Sequence, residues 1–259
     1  MYANSEASAH YHTALALGHP DTNYLHEAIG DLYTLRAEYD EALASYEMAA
    51  AMAESLDRKD ELSRMEHKLG SVHQRRGEWD LAASHFAAAL SKTGAARERA
   101  RLIADWSLVA HHGGDPNQAQ KLAEEAMILA ESAGDRRALA QAHNLLGILA
   151  SSQKNLDTAK QHYEESLALS EESSDLSARV AAMNNLSLAY NAAGERDQAM
   201  LLVREALNLC QSMGDRHREA ALHNNLADLL HAQGRSEDAM EHLKQSVAIY
   251  AEIGGDREQ

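Results

Sequence analysis

The sequence has little of what a β-rich or disulfide-held protein needs. Its 259 residues include one cysteine, Cys210, two prolines, one phenylalanine and two tryptophans. A single thiol excludes an internal disulfide framework and a cysteine-built zinc site. The shortage of aromatic and β-branched runs argues against a sandwich or barrel, and the Ala- and Leu-rich remainder favours helix. Positive charge is scarce as well. The 24 Lys+Arg stand against 40 Asp+Glu, a net charge of −16, which weighs against direct nucleic-acid binding, because phosphate needs a basic surface. No apolar run approaches the roughly 20 residues that cross a bilayer. Met1-Tyr2-Ala3-Asn4-Ser5-Glu6 has neither the basic start nor the apolar core of a secretory signal. A reducing, cytoplasmic setting with no membrane contact is the expectation. With 45 % hydrophobic and 25 % charged residues, the chain has the composition of a folded protein.

What the sequence does have is a repeat. Small residues recur at Gly30, Gly70, Ser107, Gly147, Ser187 and Ala227, spaced 40, 37, 40, 40 and 40 apart. Each is followed twelve positions later by an alanine: Ala42, Ala82, Ala119, Ala159, Ala199 and Ala239. Gly77, Gly114, Gly194 and Gly234 fall seven residues after their anchors, where a left-handed residue would end a helix. Asp135, Asp175 and Asp215 stand where the next helix should start, as N-caps. Each unit therefore reads as helix A, short turn, helix B, longer turn. An isolated helix of this length is marginal, so its apolar stripe (Leu25, Ile29, Leu32 and Tyr33 in the first unit) must be buried by neighbouring helices. The anchors are small because two helices cross there at close range.

The motifs Asn144-Leu145-Leu146-Gly147 with Asn155, Ala159, Tyr163 and Ala168, and Asn184-Asn185-Leu186-Ser187 with Tyr190, Gly194, Ala199 and Ala206, resemble the tetratricopeptide repeat. The resemblance covers roughly residues 20–253. The unit is longer than the roughly 34 residues of the usual repeat. In this it resembles the kinesin-light-chain and LGN-type adaptors and the repeat regions of MalT-like bacterial regulators. The resemblance implies an all-α, right-handed superhelical solenoid: residues 1–20 a leading B-type helix of a partial repeat, 21–254 six tandem repeats, and 255–259 a short tail. Gly255-Asp256-Arg257 repeats the linker that elsewhere begins an A helix. The last B helix is thus expected to expose Leu243, Val247, Tyr250 and Ile253. A partner, a second copy in a homodimer, or further chain of a longer protein would cover them.

Catalytic signatures are missing. There is no dinucleotide or phosphate-binding glycine loop and no nucleophile elbow. His26-Glu27-Ala28-Ile29-Gly30 begins like a zinc-protease helix but ends in Gly30 where a second histidine is required. The fifteen histidines show no metal-ligand spacing, and Cys210 reads as a packed thiol among Leu207, Leu209 and Met213. The expectation is a protein that is not an enzyme and carries no cofactor or metal.

The informative pattern lies on the A helices. Three residues before the anchor stand Asn144, Asn184 and Asn224, on the face turned away from the B helices. An amide both donates and accepts, which suits the main chain of an extended peptide. In the resembled adaptors, asparagines at this helix position contact ligand peptides. Other positions expected on the concave face are Asp31, Leu188 and Asp228 (one after the anchor), Asn191 (four after), Arg64, Arg101 and Gln141 (six before), and His67 (three before). Arg64, Arg101 and His67 form a partial basic clamp for a carboxylate, whereas Asp31, Glu27 and Asp228 favour a partner of some basic character. The function expected is a groove that binds a protein or peptide partner within a signalling or regulatory assembly. The rivals are a sensor or effector segment of a larger bacterial transcriptional regulator, and a module that self-associates.

Overall fold

The computed structural model describes residues 2–254. They form thirteen α-helices with no strand among them. A leading helix, α1 (Tyr2–Ala16), precedes six antiparallel pairs. The A helices are α2 (Thr22–Arg36), α4 (Lys59–Arg75), α6 (Ala96–His112), α8 (Arg136–Ser152), α10 (Leu176–Ala192) and α12 (Arg216–Ala232). The B helices are α3 (Tyr39–Ser55), α5 (Trp79–Lys92), α7 (Pro116–Ala133), α9 (Leu156–Glu172), α11 (Arg196–Met213) and α13 (Ser236–Gly254). Each helix packs on its predecessor and its successor, which gives an all-α superhelix.

The turns follow from local chemistry. Asp135, Asp175 and Asp215 cap α8, α10 and α12, accepting from the N–H of Arg137 at 3.1 Å, Ala178 at 3.0 Å and Arg218 at 3.2 Å. Such caps satisfy donors that the first helical turn leaves unpaired. The residue seven after every anchor is left-handed, with φ from +62° to +88°. Four are glycines, but Ala37 and Lys154 adopt the same conformation at φ +62°, because the tight A–B turn demands it in every unit.

The anchors show why the pairs cross where they do. A Cβ added at Gly30 or Gly70 would lie 2.5 Å from the ring of Tyr46 or Phe86, and at Gly147 it would collide with Tyr163. All three rings are buried and stand sixteen residues after their anchors. In the other three units that position holds Ala123, Val203 or Leu243, and the anchor is Ser107, Ser187 or Ala227. Glycine faces a ring; a larger anchor faces a smaller side chain. Ser107 adds a hydrogen bond from Oγ to the Ala119 carbonyl at 2.8 Å. We expect Gly147→Ala to destabilise the protein by about 1–3 kcal/mol through overpacking. Adding Tyr163→Val should return part of that loss, as in the Ser187/Val203 unit. Chemical denaturation of both single variants and the double variant measures the coupling, and strict additivity would show that the two positions are not packed as a pair.

A second register, four before and fifteen after the anchor, links helices A and B of one unit by polar pairs. Glu66 accepts from His85 at 2.8 Å; His143 and His162 meet Nδ1 to Nδ1 at 3.1 Å, and His223 and His242 at 2.9 Å. Units three and five hold Ile103 with Leu122 and Met183 with Leu202 there. Burial lowers the pKa of His143, although Glu165 and Glu131 oppose it. Burial and the facing histidine lower His162 and His223. An unfolded histidine then binds protons that the folded one resists. Stability from these groups is complete above the unfolded pKa of about 6.5 and is lost as pH falls through it. The melting temperature should therefore drop between pH 7.5 and 5.5. His143→Ile with His162→Leu, the pair found in unit three, should reduce that drop; an unchanged pH dependence would assign it elsewhere.

The last helix is open on one side. Met240, Leu243, Val247 and Tyr250 of α13 are exposed, with no helix packed over them among the described residues. Ile253 differs from expectation: it packs beside Ala37 and Tyr39 of the first unit. The linker at residues 255–257 lies outside the described residues. No helix among the described residues is long and apolar enough to cross a membrane.

Candidate functional site

The packing of Ile253 is one part of a larger closure. The array coils until its sixth unit rests on the first two. Arg75, at the end of α4, grips Asp215, the cap of α12, with two parallel N–H···O bonds of 3.1 Å each. Tyr39 Oη lies 2.9 Å from His217 Nδ1, and the Tyr250 ring meets His217 edge-on at 6.0 Å. Asn4 of α1 donates to the Met213 carbonyl at 3.2 Å. Asp215 is only 1 % exposed. Burial pushes its carboxyl up, but Arg75 and Arg218 more than reverse this and hold it below the usual carboxylate range. The Cys210 thiol sits beneath the same junction, 3.2 Å from the Asp215 carbonyl, and burial pushes its pKa up to about 12. It is a packed thiol, not a nucleophile.

Inside the coil is a cavity of about 480 Å³. Its wall comes from the inner faces of α4, α6, α8, α10 and α12, with Trp79 and Ser166 reaching in from α5 and α9. Trp79 stacks on His112, with ring centroids 4.9 Å apart.

Polar contacts join consecutive A helices around this lumen. Glu27 of α2 receives Arg64 and Lys68 of α4, both at 2.9 Å. Burial raises the Glu27 carboxyl, yet the two cations hold it below its ordinary value. His67 of α4 lies 2.5 Å from Asp105 of α6, which also accepts from Gln141 of α8. Asn185 of α10 donates to Asn144 of α8 at 2.9 Å, and Asn225 of α12 donates to Asn184 of α10 at 2.7 Å. Arg75 and Asp215 then close the ring.

The candidate residues divide accordingly. Arg101, Gln141 and Asn144 line the cavity. Asn184 is half-buried within the amide chain, and His67 contributes through Asp105. Arg64 is exposed and engaged with Glu27. Asp31 is exposed and accepts from Tyr46 at 2.7 Å and from Lys68. Leu188, Asn224 and Asp228 are exposed and Asn191 is half-buried; none of the four lines the cavity. The cavity also includes Arg75, Arg137, Arg218 and Asp105, which the sequence pattern did not single out, and Asp175, which it marked only as an N-cap. Arg137 and Arg218 belong to the first turns of their helices, ahead of the repeating concave positions and just after the linkers Gly134-Asp135-Arg136 and Gly214-Asp215-Arg216. Arg75 and Arg218 become neighbours only because the coil closes.

Arg75→Ala tests the closure. Loss of a charge-assisted pair at a buried carboxylate should cost about 1.5–3 kcal/mol. Small-angle scattering should show a larger radius of gyration. An unchanged radius would mean that the Tyr39–His217 contact and the packing of Ile253 hold the coil unaided.

Models of the tetratricopeptide repeat match residues 98–172, 139–212 and 178–252, and a second such model matches 25–61 and 67–100. No curated protein sequence matches the chain. Among solved structures, the Rap conjugation gene regulator of the plasmid pLS20, in complex with a Phr peptide, superposes with a TM-score of 0.74 at 15 % identity, covering 99 % of this chain and 70 % of that one. A Rap protein complexed with competence and sporulation factor gives 0.66 at 15 %, covering 90 % and 76 %. A signal-transduction ATPase with a tetratricopeptide repeat sensor from Pyrococcus horikoshii gives 0.65 at 13 %, covering 98 % of this chain and 41 % of that one. At such identities the likeness is one of fold.

Proposed function

The chain belongs to the tetratricopeptide repeat family, and on that premise we propose that it is a non-catalytic scaffold that binds a peptide, or an extended segment of a protein partner, in the lumen of its superhelix. One observation carries this reading. Polar side chains of five consecutive A helices converge on a single cavity of about 480 Å³, within the roughly 300–1,000 Å³ of ligand-binding clefts. Gln141 and Asn144 present amides there, with Leu108 and Leu145 beside them. Amides suit a peptide main chain and leucines suit its apolar side chains. Two of the similar structures hold a peptide or a factor in their complexes, which supports the same use of the fold here.

A signalling or regulatory role fits this arrangement. Arg75 and Arg218 belong both to the cavity wall and to the closure at Asp215. A guest touching them would bind the open and closed coils unequally and shift the balance between them. The superposition on the repeat sensor of a larger signal-transduction ATPase supports a sensor segment as the second reading, and it draws on the same lumen.

The test is selection of heptapeptides from a random soluble library on the immobilised chain, followed by titration of those retained. Asn144→Ala should weaken binding about tenfold, equivalent to 1.4 kcal/mol. Asn185→Ala removes the same inter-helix hydrogen bond without removing a cavity side chain, so it should leave affinity near that of the parent. Equal losses in both variants would assign Asn144 to helix orientation, and retention of no peptide would overturn the lumen reading.

A further inference from the structure

Independently of what the lumen holds, we propose that two histidine pairs, His143 with His162 and His223 with His242, each bind a divalent transition-metal ion, copper(II) or nickel(II). The ion would join helix A to helix B in units four and six. The members of each pair stand nineteen residues apart, so they meet only because helix B folds back along helix A. In both pairs the two Nδ1 atoms face each other, at 3.1 Å between α8 and α9 and at 2.9 Å between α12 and α13. The ring centroids are 5.3 Å apart in the first pair and 5.1 Å in the second. His143, His162 and His242 are half-buried, so an ion reaches each pair from solvent.

The spacing selects the class of ion. With metal–nitrogen bonds of roughly 2.0–2.1 Å, nitrogens this far apart subtend about 90–100° at the ion. That is the angle between adjacent corners of a square or an octahedron, as copper(II) and nickel(II) require. A tetrahedral zinc site wants its nitrogens about 3.3–3.4 Å apart. A ligating imidazole must also be neutral. Burial lowers the pKa of His143, and burial with the facing histidine lowers those of His162 and His223. Without an ion, one Nδ1 donates its proton to the other. On binding, that ring changes to the Nε2–H form, and both lone pairs meet the ion. Glu131 and Glu165 near the first pair and Glu219 near the second favour a cation, while Arg216 near the second opposes it. Among the described residues no third histidine, cysteine or carboxylate completes either site, so water fills the remaining positions and the ion is exchangeable. The other units show what these positions hold when only packing is needed. Unit two uses Glu66 and His85, a charge-assisted pair roughly twice as strong as a neutral one. Units three and five use the apolar pairs Ile103 with Leu122 and Met183 with Leu202. Two imidazoles make a weaker hydrogen bond than the first and bury less apolar surface than the second, yet the chain makes that choice twice.

The experiment is equilibrium dialysis of the full chain, freed of metal with EDTA, against NiCl2 near neutral pH, with bound nickel counted by atomic emission. Other histidines set a background, so differences between variants carry the result. His143→Ile with His162→Leu, the pair of unit three, should bind one ion fewer than the parent. His223→Met with His242→Leu, the pair of unit five, should do the same, and replacing both pairs should remove two ions. His162→Gln and His242→Gln each leave one imidazole and should weaken the corresponding site about tenfold or more. These single variants decide the outcome where circular dichroism shows that a paired variant has not folded. MgCl2, whose ion prefers oxygen ligands, should not compete with nickel. Equal nickel binding by parent and variants overturns the proposal, as does displacement of nickel by equimolar magnesium. Differences of one ion with ZnCl2 but not with NiCl2 overturn the right-angled geometry. None of these results bears on the lumen reading.

Discussion

The structure depends on the close crossing of helices A and B at the small-residue anchor. A helix of fourteen to nineteen residues gains too little from its own hydrogen bonds to persist alone, so its stability is the burial that its neighbours provide. How closely they approach is set at one point per unit, where a glycine lies under the ring of Tyr46, Phe86 or Tyr163, or a serine or alanine meets a smaller side chain. Cores are close-packed, so the sum of the two volumes fixes the approach of the pair. Six pairs set in this way add small rotations into a superhelix.

Closure follows from accumulated geometry and is then secured chemically. The sixth unit arrives against the first two and is held there by a bidentate ion pair, a Tyr39–His217 contact and the packing of its own Ile253. A buried ion pair offsets its desolvation only when geometry and hydrogen bonding are good. Asp215 meets that condition by serving three purposes: it caps α12, binds Arg75 and lies near Arg218. The open groove of a repeat array thereby becomes a lumen with its own electrostatics. The polar chain from Glu27 through Asp105 and the asparagines to Asp215 ties the inner faces together, so groups that would bind a guest also hold neighbouring helices in place.

The double use of inner-face residues explains which parts of the site were legible in advance. The asparagine register stood out because it repeats, and Asn144 does face the cavity. Asn184 has the same register but is occupied by Asn225 and Asn185, and Asn224 is exposed near the end of the array. Identical helix positions are thus not equivalent once the superhelix gives each unit different company. Arg64 and Asp31 likewise lie on the expected A helices, but Glu27 and Lys68 engage them. The arginines that dominate one end of the cavity did not form a periodic pattern, so periodicity could not single them out.

The sequence by itself determined the helices, their pairing and their number. Those features rest on short-range rules that act within one unit: apolar spacing, a left-handed residue seven after the anchor, an aspartate before the next helix, and a small residue wherever a ring must fit. Only the tertiary structure decided that Arg75 meets Asp215 across 140 residues, that Ile253 is covered by the first unit, and that four arginines gather around one cavity in an acidic protein. These depend on the pitch of the coil, a sum of small inter-unit rotations. No single motif encodes it, and a change of a few degrees per unit would carry the ends past one another.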